Sequence, residues 1–404
     1  MTTDKKDRIP NAPVLRFPEF ADGWKECELK DIAQISKGSG ISKDQLSETG
    51  KPCVLYGELY TKYKSEVITE ILSKTNLEES HMVYSRENDV IIPSSGETAV
   101  DISTARCVPF DNILLGGDLT IIRLKEQDGR FFSYQLNGVR KLDIARIAQG
   151  VSVVHLYGDN LKRLKVTFPT IAEQNKISVF LSLVDKRIET QSRAIEDLKR
   201  LRLAFQDKLI EQLVCSNDLK SFSEVYEVAG EGGTPDTSKR EYYDGGTIPF
   251  IKIDDLTNKY LKKHKDSITE LGMQKSSAWL VPANSLIFSN GATIGAASIN
   301  SYPVATKQGI LGIVPKNNIS VEYLYYLMTS TYFKKQVHRI ITHGTMATAY
   351  LKDINKISVP IPSFDKQEYV SLVLSSLSGK EAIETQMLSQ LQNQKQYLLQ
   401  RMFI

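Results

Sequence analysis

The stretch LKRLKVTFPTIAEQNKISVFL (161 to 181) returns later in the chain, in diverged form, as INKISVPIPSFDKQEYVSLVL (354 to 374). Pro169 matches Pro362 and Gln174 matches Gln367, so both pairs are separated by 193 residues (362 − 169 and 367 − 174). In a chain of 404 residues, this period indicates two tandem copies of one domain-sized unit, because solenoid repeats have periods of only about 20 to 50 residues.

The blocks upstream of this stretch repeat in the same order. GKPCVLYGEL (50 to 59) corresponds to GTIPFIKIDDL (246 to 256), DVIIPSSGET (89 to 98) to SLIFSNGAT (285 to 293), and RFFSYQL (130 to 136) to VEYLYYLM (321 to 328). Chance similarity of short apolar runs would not preserve the order and spacing of four blocks. Because the side chains diverge while the order is kept, the pattern predicts two related folds that read different ligands.

Composition is that of a globular protein, with 41% hydrophobic and 25% charged residues, and the length suffices for two or three domains. No run of about 18 apolar residues is present, so no membrane span is predicted. The polar beginning, MTTDKKDRIPNAP, lacks the apolar core of a secretion signal, and we therefore expect a cytoplasmic protein. The widely spaced Cys27, Cys53, Cys107 and Cys215 should then be free thiols.

The net charge of +3 says little by itself about a polyanionic partner. Its distribution is uneven, since residues 161 to 214 carry eleven Lys and Arg against seven Asp and Glu. A solvated helix face is the commoner cause of such a bias, and direct contact with nucleic acid is the alternative.

Apolar residues in both copies of the repeated stretch follow the 4-3 spacing of a coiled-coil seam. The seam residues are Ile177, Leu181, Val184, Ile188, Ile195, Leu198, Phe205 and Leu209 in the first copy, and Val370, Leu374, Leu377, Leu388, Leu391, Leu398 and Met402 in the second. The first run contains no Gly or Pro from 177 to 209 and predicts one long helix, whereas Ser378 and Gly379 weaken the middle of the second. An amphipathic helix packed on its own domain is the simpler alternative. The length favours two helices that leave their domains and pair with each other.

The segments before the long helices have the pattern of α+β domains. Runs typical of strands at 89 to 93, 119 to 124, 285 to 289 and 310 to 315 are separated by turn residues, and helices are predicted at 131 to 139 and 321 to 330. Strands ending in proline, at 164 to 169 and 357 to 362, precede the long helices. The polar loops, such as 36 to 45 and 230 to 240, are where ligand contacts are expected.

Motifs for catalysis or metal binding are missing from the sequence. The five histidines form no HExxH or clustered pattern, so no metal site is predicted. There is no GxxxxGK[ST] phosphate loop, no GxGxxG after a strand, no GxSxG elbow, and no Asn-Pro-Pro-aromatic tetrapeptide of an amino-group DNA methyltransferase. The string NGATIG (290 to 295) lacks the lysine of a phosphate loop and is predicted to be a turn. Catalysis by this chain alone is therefore not expected.

Taken together, these features resemble the specificity (S) subunit, HsdS, of type I restriction-modification systems over nearly the whole chain. The resemblance is carried by APVLRFPEFADGW (12 to 24), the strand-proline-Gln-helix blocks (164 to 181 and 357 to 374) and GGTPDTSKREYYDGGTIPFIKIDDL (232 to 256). It implies an α+β fold with two tandem target-recognition domains, separated by long helices that pair as an antiparallel coiled coil. The implied segments are an N-terminal arm (1–24), recognition domain 1 (25–160), a central strand and long helix (161–217), recognition domain 2 (218–350), and a C-terminal strand and long helix (351–404).

The resemblance also implies a function and a set of partners. A non-catalytic subunit of this kind binds a bipartite site on double-stranded DNA, with one half-site for each recognition domain, and recruits two methyltransferase (M) subunits and restriction/motor (R) subunits. The chain itself would carry no cofactor, while S-adenosylmethionine, ATP and Mg are expected on the partner subunits. The first-copy loop ISKGSGISKDQ lacks the Thr-Pro found at Thr234-Pro235, which leaves the recognition mode of the first half-site open.

Candidate DNA contacts come from the polar loops of both copies. Lys and Arg would contact phosphates, and Asn, Gln, Arg and Ser would reach base edges in the grooves. The candidates are Lys37, Lys43, Ser95, Arg106, Arg146, Gln149 and His155 in the first copy, and Thr234, Lys239, Arg240, Asn290, Lys307, Gln308 and His343 in the second. For each of them, a solvated loop residue is the simpler interpretation.

Two other classes of function are compatible with the sequence. One is a coiled-coil protein–protein adaptor with two interaction heads and no DNA reading, and the other is an enzyme with an unrecognised constellation of loop residues. The adaptor would bind its partners regardless of DNA and of salt. A specificity subunit requires a methyltransferase partner and sequence-selective binding to duplex DNA, so a neighbouring gene encoding such a methyltransferase would distinguish the two.

Overall fold

The computed structural model describes residues 11–77, 81–216, 218–342 and 347–404. The chain divides into two compact units, Met1–Ser192 with Gln386–Ile404, and Arg193–Thr385. Both units mix helices with small sheets, which confirms the expected α+β class and the tandem arrangement of two domains. No helix in the described ranges is long and apolar enough to cross a membrane.

The first unit is built on short strands, several of them in the places that the sequence predicts. Its strands are β1 Lys25–Glu28, β2 Ala33–Lys37, β3 Leu46–Ser47, β4 Lys51–Val54, β5 Ser73–Thr75, β6 Asp89–Pro93, β7 Ser95–Gly96, β8 Arg106–Val108, β9 Leu114–Leu115, β10 Leu119–Leu124, β11 Val154–His155 and β12 Lys165–Phe168. Its helices are α1 Leu29–Ile32, α2 Glu58–Thr61, α3 Ala99–Ile102, α4 Gly129–Asn137, α5 Lys141–Ile147, α6 Gly158–Lys162 and the first half of α7 Ile171–Ser216. Two four-stranded sheets result, ordered β2-β10-β6-β8 and β3-β5-β4-β9.

The central strands of the first unit are buried on both faces. Val90 and Ile92 of β6 belong to the main core, whereas Ile91 between them belongs to a second core on the opposite side. A strand covered on both sides reads as a continuous apolar run rather than as an alternating pattern. This is why the runs 89–93 and 119–124 were visible in the sequence, and they coincide with β6 and β10.

The second unit repeats this plan with its own strands and helices. Its strands are β13 Leu219–Ser221, β14 Tyr226–Glu231, β15 Ile248–Ile251, β16 Tyr260–Leu261, β17 Asp266–Ile268, β18 Leu280–Val281, β19 Leu286–Ser289, β20 Ala297–Asn300, β21 Val304–Thr306, β22 Ile310–Pro315 and β23 Ser358–Pro360. Its helices are α8 Glu270–Gln274, α9 Val321–Thr329, α10 Thr331–Ile340, α11 Leu351–Ile354 and the first half of α12 Phe364–Arg401. The sheet order β14-β22-β19-β20 matches β2-β10-β6-β8, with β16 added at the edge.

The repeated glutamine has the same structural role in both units. In the first unit the Gln174 side chain accepts a hydrogen bond from the backbone N–H of Asp128 (3.1 Å), the residue that caps α4, and donates to the carbonyl of the proline five residues earlier (2.9 Å). In the second unit Gln367 accepts from the backbone N–H of Ser320 (2.9 Å), which caps α9, and donates to the corresponding proline (2.9 Å). One buried side chain thus joins a domain helix, a turn and a long helix, and this explains why the stretch is found twice.

The arm before β1 packs on the beginning of α7. Nε and Nη2 of Arg16 each donate a hydrogen bond of 2.7 Å to the buried carboxylate of Glu173. The Phe17 ring meets the Phe180 ring edge-on at 5.8 Å, and Trp24 is buried against helix α4. The APVLRFPEFADGW motif therefore has a structural role and joins the chain before β1 to α7 and α4 within the first unit.

Each unit contains a segment of both long helices. In the first unit Ile177 and Leu181 of α7 share a core with Leu398 and Met402 of α12. In the second unit the end of α7 shares a core with the beginning of α12, at residues 210–213 and 370–374. The two helices therefore run antiparallel, and both suggestions from the sequence hold, because each helix packs on a domain and against the other helix.

The predicted seam departs from the structure at one residue. Its members are buried or half-buried except for Phe205, which is 44% exposed, while the neighbouring Gln206 is 1% exposed. A straight α-helix drifts by about 20° per heptad relative to a strict seven-residue repeat, hence by about 80° over the four heptads from Ile177 to Phe205. That drift approaches the angle between adjacent residues, so the interior position has moved from 205 to 206 and from 209 to 210.

Charged side chains join the two helices inside each unit. In the first unit Lys395 of α12 lies 2.5 Å from the carboxylate of Asp185 on α7 and also contacts Glu66, and all three are about nine-tenths buried. In the second unit Arg202 of α7 donates to Glu381 of α12 at 3.0 Å, and both are about one-fifth exposed. Lys395 and Arg202 are themselves 193 residues apart (395 − 202), so they occupy equivalent positions of the repeat.

Candidate nucleic-acid interface

Three of the candidate residues in the first unit meet on one small ladder. His155 pairs with Ser95 between β11 and β7, and its backbone exchanges two hydrogen bonds with Gln149 (2.9 and 2.7 Å). The side chains of Gln149 and His155 are exposed, while Ser95 is buried. The hairpin 149–155 turns at Gly150, whose φ of +126° favours glycine and where a Cβ would lie 2.1 Å from the Val153 carbonyl oxygen.

The second unit has the same ladder with different side chains. Thr342 pairs with Thr348, and Gly291 pairs with Thr348. These two threonines are the repeat equivalents of Gln149 and His155, since both pairs are 193 residues apart (342 − 149 and 348 − 155). Both units therefore present a pair of bridged residues at the same place in the fold, and the residue types differ.

Three further candidates line one cavity of about 430 Å³ in the second unit, namely Thr234, Lys307 and Gln308. The backbone N–H of Gln308 donates to the Thr234 hydroxyl (3.4 Å), and the N–H of Gly309 donates to the Glu231 carboxylate (2.8 Å). The cavity opens where β14, β15, β19 and β21 end, because each of these strands leads into a loop that contributes lining residues. Its wall thus offers a hydroxyl, an amide and charged groups of both signs.

The remaining exposed candidates lie on separate loops and turns. Lys37 ends β2, and Lys43 begins a 3₁₀ turn. Arg146 on α5 donates to Asp143 (3.0 Å). Lys239 lies 5.3 Å from the centre of the Tyr242 ring, and Arg240 begins the next 3₁₀ turn.

Besides Ser95, two more candidates lie inside the protein. Arg106 is 7% exposed, and its guanidinium donates to the carbonyls of Tyr63 (2.9 Å) and Ala105 (3.2 Å). Burial lowers the pKa of Arg106, with Glu66 and Asp185 acting in the opposite direction. Asn290 is fully buried and donates to the Ala349 carbonyl (3.2 Å). Both side chains thus contact backbone carbonyls in the interior. His343 falls outside the described residues.

Other residues suited to polyanion binding were not among the candidates. Lys252 lines the cavity of the second unit. The run Lys262–Lys265, which reads KKHK, is exposed between β16 and β17, and this run of basic residues was visible in the sequence. Among the residues that the structure describes, no group of three or more His, Cys, Asp or Glu is arranged to hold a metal ion. All four cysteines are free thiols, as expected.

Comparison with known proteins decides the family. The family model described as the type I restriction modification DNA specificity domain matches residues 21–200 and 217–393. This chain belongs to the type I DNA specificity family. The two matches each cover one copy of the internal repeat, so the duplication recognised from the sequence is a duplication of the specificity domain.

Relatives of this specificity chain carry names of the same kind. It is 32% identical over 161 residues to the type I restriction enzyme MjaIX specificity subunit of Methanocaldococcus jannaschii, which covers 39% of this chain and 37% of that relative. It is 21% identical over 430 residues to the MjaVIII specificity subunit of the same organism, covering 98% of this chain and 95% of the relative. The alignment to the HindI specificity subunit of Haemophilus influenzae spans 39% of that relative, so the chain spans well under half the length of the first relatives it matches.

Solved structures have the same fold. The S subunit of a type I restriction-modification system from M. genitalium superposes with a TM-score of 0.58 at 18% identity, over 97% of this chain and 99% of that one. A chain from a study of complex assembly and conformational transition of the type I R-M system superposes with a TM-score of 0.63 at 16% identity, over 96% and 98%. At these identities the likeness concerns the fold of the specificity chain.

Proposed function

We propose that this chain is the DNA sequence-specificity subunit of a type I restriction-modification complex, in which each unit reads one half of a bipartite target. The observation that carries the proposal is the duplicated bridge, between Gln149 and His155 in the first unit and between Thr342 and Thr348 in the second. An equivalent backbone that presents different hydrogen-bonding groups is what two readers of different short sequences require.

The division of labour between contacts follows from DNA chemistry. Phosphates are identical along the duplex, so lysine and arginine contacts fix position, and only contacts to base edges distinguish sequences. We assign base reading to the exposed Gln149 and His155 of the first unit and to Thr342, Thr234 and Gln308 of the second. The buried Ser95 is assigned no contact with DNA. Backbone contact is assigned to the exposed Lys37, Lys43, Lys239, Arg240 and Lys307. Arg106 and Asn290 are excluded from the proposed set, since they are buried.

A repeated apolar surface supports the proposal of two identical protein partners. Ile171 and Val179 at the start of α7 are 46% and 49% exposed, and their repeat equivalents Phe364 and Leu372 on α12 are 47% and 68% exposed. A protein that binds this surface on α7 could therefore bind the equivalent surface on α12. We propose that two methyltransferase subunits bind here, that restriction subunits join the complex for cleavage, and that S-adenosylmethionine, ATP and Mg are bound by those partners.

The test exchanges the hairpin side chains. The double substitution Gln149→Thr and His155→Thr places threonine at both bridged positions of the first unit. The backbone bridge should be kept, because threonine occupies the equivalent positions in the second unit. Methylation mapping of DNA from cells that express the assembled enzyme should show a changed first half-site and an unchanged second one. Removing one good hydrogen-bonded pair with a base costs about 1–3 kcal/mol of discrimination, which is about a 5- to 150-fold change in preference.

The matched control is Thr342→Gln, which should alter the second half-site alone. If the double variant and the control methylate the original sequence with the original preference, these bridged residues do not read DNA. A protein–protein adaptor would behave differently from both, since its binding to partners would not change with DNA or with salt concentration, whereas phosphate contacts weaken steeply as salt rises.

A further inference from the structure

A groove of about 650 Å³ in the first unit is lined by more cations than carboxylates. It lies between α5, α6 and the beginning of β12, and its charged lining residues are Arg140, Asp143, Arg146, Arg163 and Lys165. We call this surface the basic groove. Its remaining lining includes the side chain of Gln149, the residue that closes the hairpin 149–155, so the groove borders that hairpin directly.

The charges in the basic groove are only partly balanced. Asp143 is shared between Arg146 (3.0 Å) and Arg140 (3.4 Å), and Lys165 pairs with Glu26 outside the groove (3.1 Å). In the described part of the chain, no carboxylate lies within ion-pair distance of Arg163, which is exposed. Arg140 also donates to an oxygen of Ile404 (3.0 Å), and Glu28 and Asp159 interact electrostatically with Arg163. Within the lining itself, four cations accompany one carboxylate, and an excess of positive charge on a concave surface attracts an anion.

The second unit has a smaller excess at the equivalent positions. Counting 193 residues on, Arg163 becomes Lys356, Asn160 becomes Asp353, and Lys165 becomes Ser358. Lys356 and Asp353 form an ion pair at 2.8 Å. Over the equivalents of all the charged lining residues, with Asp353 included, Arg339 and Lys356 face one carboxylate (+2 − 1 = +1), whereas the first unit has four cations and one carboxylate (+4 − 1 = +3), so the excess is smaller in the second unit.

We propose that the basic groove holds phosphates of the DNA backbone beside the half-site that the hairpin 149–155 reads. The inference rests on the proposed function and adds to it a sequence-independent anchor in the first unit. The groove fits this ligand because arginine presents paired N–H donors to phosphate oxygens, and because the neighbouring hairpin is the exposed polar element of the same surface. The first unit would then bind the duplex mainly through the DNA backbone. The second unit would need to contact the DNA through other residues.

The experiment compares the assembled complex, with its methyltransferase partner, in wild-type form and with the double substitution Arg163→Ala and Lys165→Ala. Affinity is measured for a duplex that contains the target and for an unrelated duplex of equal length, across roughly 50 to 200 mM salt. The slope of log affinity against log salt changes by about 0.9 for each phosphate that the protein no longer neutralises. In the double variant, the ratio of the affinities at the two salt limits should therefore be smaller than in wild type by about 3-fold per phosphate, equally for both duplexes. The methylated sequence should stay the same.

The matched control is Lys356→Ala, at the equivalent position of the second unit, which should leave the salt slope unchanged because that lysine does not line the basic groove and pairs with Asp353. A double variant with the wild-type slope overturns the basic groove as a phosphate site while leaving the proposed function intact, provided that the wild-type complex binds DNA in a salt-dependent way. A double variant that no longer binds its methyltransferase partner, at unchanged DNA affinity, overturns it as well and assigns the groove to a protein. Wild-type binding that does not depend on salt or sequence refutes the proposed function itself. Retained fluorescence of the buried Trp24 confirms that the first unit is folded.

Discussion

Replacing Lys395 by methionine should destabilise the first unit strongly and leave the second unit unaffected. Lys395 reaches the carboxylates of Asp185 (2.5 Å) and Glu66, and Asp185 also accepts a hydrogen bond from the Tyr134 hydroxyl (2.7 Å). Methionine keeps the length and the apolar stem of lysine but removes the charge. Two buried carboxylates would then lie close together, with Arg106 interacting with both and Lys141 with Glu66.

The expected magnitude follows from the burial of all three groups. Breaking a buried ion pair by removal of one partner costs about 3–5 kcal/mol, because the remaining charge stays desolvated. With a urea dependence of about 2–3 kcal/mol per molar, this lowers the unfolding midpoint of the first unit by about 1–2.5 M. The equivalent change in the second unit, Arg202→Met, removes a more exposed pair and should cost about 1 kcal/mol or less.

The chain offers one tryptophan in each unit for the measurement. Trp24 is buried in the core of the first unit, and Trp279 packs beside a core of the second. Urea unfolding followed by fluorescence in a Trp279→Phe background reports on the first unit, and in a Trp24→Phe background on the second. Lys395→Met should move only the Trp24 transition, and Arg202→Met only the Trp279 transition.

The destabilisation should also depend on pH. Burial and the nearby Glu66 raise the pKa of Asp185, and Lys395 opposes that rise, so the pKa of Asp185 should climb further in Lys395→Met. A carboxyl whose pKa is higher in the folded state favours folding at low pH, and that contribution disappears as pH rises through the folded pKa. The gap between variant and wild type should thus be widest near pH 8 and narrow toward about pH 5. A variant whose Trp24 transition shifts by less than about 0.3 M at both pH values would refute the reasoning, since the loss of the cation beside buried carboxylates should lower the free energy of unfolding by more than that.

Three further outcomes are expected. The purified chain alone should neither methylate nor cut DNA, and transfer of labelled methyl groups from S-adenosylmethionine should appear only when a methyltransferase partner is added; transfer by the lone chain would contradict this. Exchange of residues 218–350 for the equivalent domain of a relative should change one half-site and spare the other, as read by methylation mapping, and a change in both would show that the units do not read independently. A heptad inserted near Gln191 keeps the helix phase and adds about 10 Å at roughly 1.5 Å per residue. The unread spacer between the half-sites should then grow by about one to three base pairs, at about 3.4 Å each. A three-residue insertion should instead impair assembly. An active heptad variant with an unchanged spacer would argue against α7 as the element that sets the distance.

The duplication and the central strands were accessible from the sequence because they have strong local signals. Strands β6, β10, β19 and β22 are covered on both faces and appear as unbroken apolar runs. The helices α4 and α9 carry buried aromatic residues, as expected from their composition. The long helices were recognised by their spacing, although a strict heptad placed Phe205 in the interior where Gln206 lies.

The choice among polar residues was not accessible, because it depends on tertiary contacts. Arg106 stands in a strand and Asn290 in a loop, and nothing in either local sequence shows that a distant carbonyl receives the side chain. The equivalence of His155 and Thr348 was hidden for the same reason, since a ladder of two or three residues leaves no periodic pattern. The pairing of Lys395 with Asp185 joins residues far apart in the chain, and the heptad pattern predicts only apolar seam positions.

The sharing of α12 between the units has a consequence for biosynthesis. The second unit is one continuous stretch, Arg193–Thr385, whereas the first unit also requires Gln386–Ile404. Phe403 packs 5.1 Å from Phe131, and Leu398 and Met402 lie in the same core. At about 5–20 residues per second, a ribosome needs about 10–40 s to make the roughly 200 residues that follow Ser192. During that interval the first unit lacks the end of α12. The second unit is therefore complete before the first.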